Sequence, residues 1–139
     1  PFGSRVIPFE KGLDGHSDSD AVCHAVTDAI LGAASAGDIG WHFPDTDAAW
    51  KDADSLVLLA RAAQIIGEAG FSVVNVDVVV IAQRPKLAQY IAVMQANLAR
   101  AMGVAADRVS VKGKTNESVD SMGAGASIAA HAVALVSRS

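Results

Sequence analysis

Between residues 55 and 68 apolar residues return every third or fourth position. Leu56, Leu59, Ala60, Ala63 and Ile66 share one face, which predicts an amphipathic helix from Ser55 to about Glu68. Phe71–Ala82 follows, rich in Val and Ile, and predicts one long strand. Upstream, Asp20 to about Ala36 reads as a helix, with Ser17 or Asp18 as N-cap candidates and Gly37 closing it. Pro85 can begin a third helix that runs through Ile91, Met94 and Leu98 to Met102, with Gly103 at its end. Arg5–Phe9, Val109–Lys112 and Ile128–Val136 read as further strands. Loops are expected over residues 10–19, 37–54 and 115–125.

The resulting order, β-α-α-β-α-β-β, without repeat or linker, predicts a single α/β domain over residues 1–139. It is a two-layer α+β arrangement with helices over one face of a sheet. The last predicted strand is apolar on both faces, with Ala129 and Val133 on one and Ile128, Ala130 and Ala132 on the other. Helices from one chain cover one face, so the other needs cover, and oligomerisation is one way to provide it.

Composition narrows the function. The chain has 139 residues, 51 % apolar and 19 % charged, enough apolar material for a packed core. Net charge is −4 with no Lys/Arg cluster, which argues against a nucleic-acid partner. An anionic ligand would therefore need a metal or backbone amides to supply positive field. The apolar runs are too short to span a membrane, and no signal peptide is visible. Cys23 is the single cysteine, so no intrachain disulfide forms and a reducing compartment fits best. The chain begins at Pro1 without a Met and enters a strand-like run at once, so residues preceding it are expected.

Several constellations can carry chemistry. Asp20, His24 and Asp28 are spaced four apart and form one polar stripe on an otherwise apolar helix. His24 is either a satisfied core histidine or a metal ligand oriented by a carboxylate one turn away. His16, Ser17 and Asp18 precede the expected helix start, where unpaired N–H groups suit a phosphate; an ordinary N-cap is the plainer alternative. Phe43, Pro44, Asp45, Thr46 and Asp47 follow Asp38, Ile39 and Gly40, as a solvated acidic turn or as a holder of polyol hydroxyls. Ala82, Gln83, Arg84, Pro85 and Lys86 join a strand end to a helix start, where α/β sheets often bind ligands. In a similar loop, Lys114, Thr115, Asn116 and Glu117 offer a phosphate donor at Thr115 and a hard-cation ligand at Glu117.

Taken together these motifs resemble one family. Residues 8–13 (Pro-Phe-Glu-Lys-Gly-Leu), Gly15-His16-Ser17-Asp18-Ser19-Asp20, His24, Gly37-Asp38-Ile39-Gly40, Phe43 to Asp47, Asn75-Val76-Asp77 and Ala82 to Lys86 are similar, in this order, to 2-C-methyl-D-erythritol 2,4-cyclodiphosphate synthases. The resemblance runs over nearly the whole chain. It implies a homotrimer whose sheets pack around a three-fold axis with active sites between subunits. It also implies a cytidine diphosphate substrate that cyclises with loss of CMP in the non-mevalonate isoprenoid pathway. The setting would be the bacterial cytoplasm or a plastid-type organelle.

By that resemblance His24 ligates zinc, and His16 and Ser17 hold phosphates. Asp38, Gly40 and residues 43–47 hold the methylerythritol part. Ala82, Gln83, Arg84, Pro85, Lys86, Leu87 and Ala88 line the cytidine pocket. Thr115 polarises a phosphate between Lys114 and Asn116, and Glu117 binds Mg2+ or Mn2+. His16 and Thr115 are the catalytic candidates.

The chain departs from the family at three places. The family's upstream Asp-x-His, which completes the zinc site, is absent from this sequence. Lys114-Thr115-Asn116-Glu117 stands where Thr-Thr-Thr-Glu is usual. Ser121 and Ala124 replace an aromatic and a cation near the three-fold axis. A trimeric binding or scaffold homologue is the alternative reading; retention of His16, His24, Asp38, Asp45, Asp47 and Glu117 opposes it. A different metal-dependent phosphohydrolase ranks below both, because no general base for a water can be placed.

Overall fold

A computed structural model of the chain describes residues 13–43, 54–82, 87–115 and 128–138. Helix α1 spans Leu13–Ala33, α2 Ile39–His42, α3 Ser55–Glu68 and α4 Leu87–Met102; strands β1, β2 and β3 span Phe71–Ala82, Val109–Thr115 and Ile128–Arg138. The strand expected over Arg5–Phe9 lies outside the described residues.

β1 is central, pairing parallel to β2 and antiparallel to β3. α1 packs against β3 and α3, and α4 against β2 and α3, so the helices form one layer over one sheet face. The core lies between these layers. It is built from Val22, Val26 and Ile30 of α1, Leu59 and Ile66 of α3, Val76, Val78 and Val80 of β1, and Tyr90 and Leu98 of α4. The mixed sheet with one helical layer is the small α+β domain expected from the sequence.

Two predicted elements match their expected bounds. α3 begins at Ser55, where the Asp54 carboxylate accepts the Leu56 N–H at 2.9 Å, and ends at Glu68. Its inner face carries Leu56, Leu58, Leu59, Ala62 and Ile66; Ala60, placed on that face by the periodicity, is exposed. β1 covers Phe71–Ala82 as expected, but its alternation slips at residue 74, where a β-bulge breaks the register between Val73 and Asn75. Val73 and Val76 therefore both face the helices. The Arg108 guanidinium donates to the Val74 carbonyl at 3.4 Å.

Four boundaries differ from expectation. α1 begins at Leu13 rather than Asp20, so His16, Ser17 and Asp18 have helical backbone instead of preceding the helix. Packing of the Val22–Val26–Ile30 stripe stabilises the helix beyond the point where cap signals would start it. At its other end Ser35, not Gly37, takes the left-handed cap position, with φ 55°. Ala36 N–H donates to Leu31 O at 2.8 Å and Ser35 N–H to Gly32 O at 3.0 Å, which is a Schellman closure. The same closure sits at Gly103 (φ 74°) after α4, where glycine was expected. Finally, β2 continues past Lys112 to Thr115, and β3 past Val136 to Arg138. Pairing with Val80, Ile81 and Ala82 extends the strand through Gly113, Lys114 and Thr115, although Gly and Lys have weak strand propensity.

The sheet face away from the helices carries Asn75, Asp77 and Val79 of β1, Lys112 of β2, and His131, Val133 and Leu135 of β3. Val133 is 73 % exposed and Leu135 55 %, an unusual degree for large apolar side chains in a strand. Beside them Lys112 Nζ donates to Asp77 Oδ1 at 2.5 Å. That hydrogen bond is the main cause holding the Asp77 carboxyl below its usual range; desolvation opposes it, and the Lys112 charge and a Ser110 hydrogen bond assist.

Candidate functional site

The parallel pairing of β1 and β2 brings together the starts of two motifs that are distant in the sequence. Ala82 is the register partner of Thr115, and Ile81 that of Lys114. β1 and β2 thus end together at the C-terminal sheet edge, where open α/β sheets bind ligands. α4 resumes at Leu87. Lys114 is exposed at this edge. Ala82, Leu87, Ala88 and Thr115 are described in their backbone, while Gln83, Arg84, Pro85, Lys86, Asn116 and Glu117 lie outside the described residues, as do Ser121 and Ala124.

The polar stripe of α1 has a different role from the one its spacing suggested. Asp20 Oδ1 accepts the Ser55 hydroxyl at 2.7 Å, linking α1 to the first residue of α3. Asp28 Oδ1 accepts the Ile39 N–H at 2.9 Å, linking α1 to the start of α2. His24 lies between them and is exposed, so it is not a core histidine. The apolar residues around it in sequence, Val22, Cys23 and Val26, turn inward. Thr27, buried on the same helix, donates to the Cys23 carbonyl at 2.7 Å. Among the described residues no group of three or more His, Cys, Asp and Glu side chains could hold a metal ion. The exposed His24 imidazole suits a metal ligand, and one ligand alone does not make a zinc site.

Where a plain loop was expected, the chain after α1 makes a tight turn and a single helical turn, α2. Asp38 is its N-cap, accepting the Trp41 N–H at 2.9 Å. Gly40 follows in the helical turn, and a Cβ there would sit 3.6 Å from Asp38 Oδ1. Ser35, Ala36, Gly37, exposed Asp38 and Trp41 line a cleft of about 650 Å³. Trp41 is 74 % exposed, whereas Phe43 is 5 % exposed and can offer a ligand mainly its backbone. Pro44, Asp45, Thr46 and Asp47 lie outside the described residues, and His16 and Ser17 are described in their backbone. Sequence reasoning missed Ser55, Trp41 and His42. The aromatic run Trp41-His42-Phe43 directly after Gly40 was the available signal for the last two.

With this geometry in view, similarity to known proteins becomes informative. The profile of the YgbB family matches residues 2–137. The chain is 58 % identical over 135 residues to the 2-C-methyl-D-erythritol 2,4-cyclodiphosphate synthase of Laribacter hongkongensis, covering 97 % of this chain and 83 % of that protein. It is 57 % identical over 137 residues to the synthase of that name from Neisseria gonorrhoeae, covering 99 % and 86 %. Among solved structures, the bifunctional IspDF from Campylobacter jejuni superposes with a TM-score of 0.80 at 38 % identity, over 88 % of this chain and 33 % of that larger one. A 2C-methyl-D-erythritol-2,4-cyclodiphosphate synthase in a CDP-bound form superposes with a TM-score of 0.73 at 35 % identity, over 83 % and 74 %. The chain belongs to the YgbB family.

Proposed function

We propose that this chain is an isoprenoid-pathway lyase that converts 4-diphosphocytidyl-2-C-methyl-D-erythritol 2-phosphate to 2-C-methyl-D-erythritol 2,4-cyclodiphosphate and CMP. The observation that carries this reading is identity above one half, over nearly the full chain, to synthases of that name. The pairing of Ala82 with Thr115 supports it, because one residue from each of the segments proposed to bind cytidine and phosphate lies at the same sheet edge.

An oxygen of the substrate's 2-phosphate attacks the β-phosphorus. The bond from that phosphorus to the bridging oxygen breaks, and CMP leaves with the bridging oxygen. The protein supplies no nucleophile; it positions the chain of phosphates and neutralises charge. Asp38, Gly40 and residues 43–47 hold the methylerythritol hydroxyls. Residues 82–88 hold the cytidine, largely through backbone. His16 and Ser17 hold phosphates, and Thr115, flanked by Lys114 and Asn116, donates to a phosphate oxygen. His24 would hold a zinc ion as one of its ligands, and Glu117 a Mg2+ or Mn2+ ion. Bound there, such cations would offset phosphate charge that a protein of net charge −4 cannot.

In the same reading three copies pack their open sheet faces around an axis, covering Val133 and Leu135, with sites between subunits. The enzyme would act in a bacterial cytoplasm or a plastid-type organelle. The test is incubation of the full-length protein with the cytidine substrate and Mg2+ or Mn2+, followed by phosphorus NMR. Stoichiometric CMP and a cyclic diphosphate are expected; intact substrate, or a ring-open phosphate from hydrolysis, would overturn the proposal.

A further inference from the structure

The turn that presents Asp38 is held from an unexpected side. It contains two residues with positive φ, Ser35 at 55° and Gly37 at 100°. It leads into a four-residue helix, too short to be stable by its own hydrogen bonds. Asp28 engages the Ile39 N–H from α1. On the other side the His42 ring folds back so that Nε2 lies 2.5 Å from the Ala36 carbonyl oxygen.

A carbonyl only accepts, so Nε2 carries the proton and donates, and in the neutral ring Nδ1 is the acceptor. The ring is also confined sterically. Trp41 meets it edge-on at 4.6 Å between centroids and 86° between planes, and Phe43 lies at 6.1 Å. A Cβ on Gly37 would sit 3.5 Å from His42 Nε2 and 3.6 Å from Trp41 Cε3, so the turn's backbone rests against both rings. Gly37 accommodates the positive φ that this approach demands. One Asp38 oxygen accepts the Trp41 N–H, and the carboxylate retains further acceptor positions for a ligand hydroxyl.

We infer that His42 is a positioning residue: its Nε2–H donation to Ala36 O fixes the turn over residues 35–38, and with it the direction in which Asp38 offers its carboxylate to the polyol part of the substrate. The inference rests on the proposed reading of Asp38 as a polyol-binding residue. A residue that acts through the turn and not on the reacting atoms should, when lost, change KM and leave kcat nearly unchanged.

A double-mutant cycle in the full-length enzyme tests this. His42→Phe keeps a ring and loses the donor; His42→Gln keeps an N–H at similar reach. His42→Phe is expected to raise KM about fivefold, the loss of one hydrogen bond, with kcat little changed. His42→Gln should restore most of the affinity, and in an Asp38→Asn background His42→Phe should add nothing further. An equal rise in both backgrounds, no rise, or no rescue by Gln would overturn the inference. Nitrogen-15 NMR of the imidazole in the wild-type chain tests the contact without substrate, and stands even where His42→Phe fails to fold. A protonated Nε2 is expected, and a bare Nε2 overturns the contact itself. A protonated Nε2 together with an Asp38→Asn enzyme of unchanged KM overturns the inference through the Asp38 reading instead.

Discussion

Ser55 Oγ donates to Asp20 Oδ1 across 2.7 Å, although the two residues are 35 positions apart. The bond joins the N-terminal residue of α3 to the middle of α1, and Ser55 is only 5 % exposed. A hydrogen bond to a charged acceptor in such a place contributes about 1.5–3 kcal/mol. Ser55→Ala should therefore lower stability by about 1.5 kcal/mol in urea unfolding. An unchanged midpoint at unchanged slope would show that the bond contributes nothing.

The open sheet face makes a pH prediction. The Lys112 hydrogen bond holds the Asp77 carboxyl below its usual range in the folded chain. A carboxylate with a depressed folded pKa contributes stability that is present above its unfolded value and lost as pH falls through the folded one. Asp77→Asn should thus be less stable than wild type near neutrality, and the gap should close in acid. It should also narrow with added salt, because the pair is solvated. A gap of constant size from neutral to strongly acidic pH would contradict this.

Self-association should depend on Val133 and Leu135. Burying each contributes about 1.5–3 kcal/mol per chain, and a carboxylate in their place would have to be desolvated. Val133→Glu should convert the proposed trimer to monomer at micromolar concentration, with the fold retained by circular dichroism. Sedimentation velocity reads the outcome; an assembly of unaltered mass would exclude this face as the contact.

Thr115 ends β2 beside Ala82, and the proposed function has it donate to a phosphate. A donor aimed at charge that develops in the transition state lowers the barrier, and its removal costs about 10²–10³ in kcat. Thr115→Val should show that loss with KM within about threefold, by steady-state CMP release. A mutant turning over at the wild-type rate would remove Thr115 from the mechanism.

Much of the fold could be read in advance because its signals are local. The apolar spacing of α3 and the Val/Ile run of β1 predict both elements, since a helix or strand that must bury one face writes its period into neighbouring positions. The motifs around His16, Asp38 and Ala82 likewise identify the family, because each is short and their order is specific.

What folding added lies in partners distant along the chain. Asp20 and Asp28 form a stripe that reads equally well as metal support; in space both carboxylates fasten other helices, to Ser55 and to Ile39. Ser35 takes the left-handed position because closure depends on where Leu31 and Gly32 leave their carbonyls, not on which nearby residue prefers positive φ. The bulge at residue 74 reverses which valines of β1 are buried, and no alternation pattern foretells it. Propensity and period are set by neighbours within a few residues. Hydrogen-bond partners, register and the meeting of Ala82 with Thr115 are set by packing between elements, so they exist only once the sheet and its helical layer have assembled.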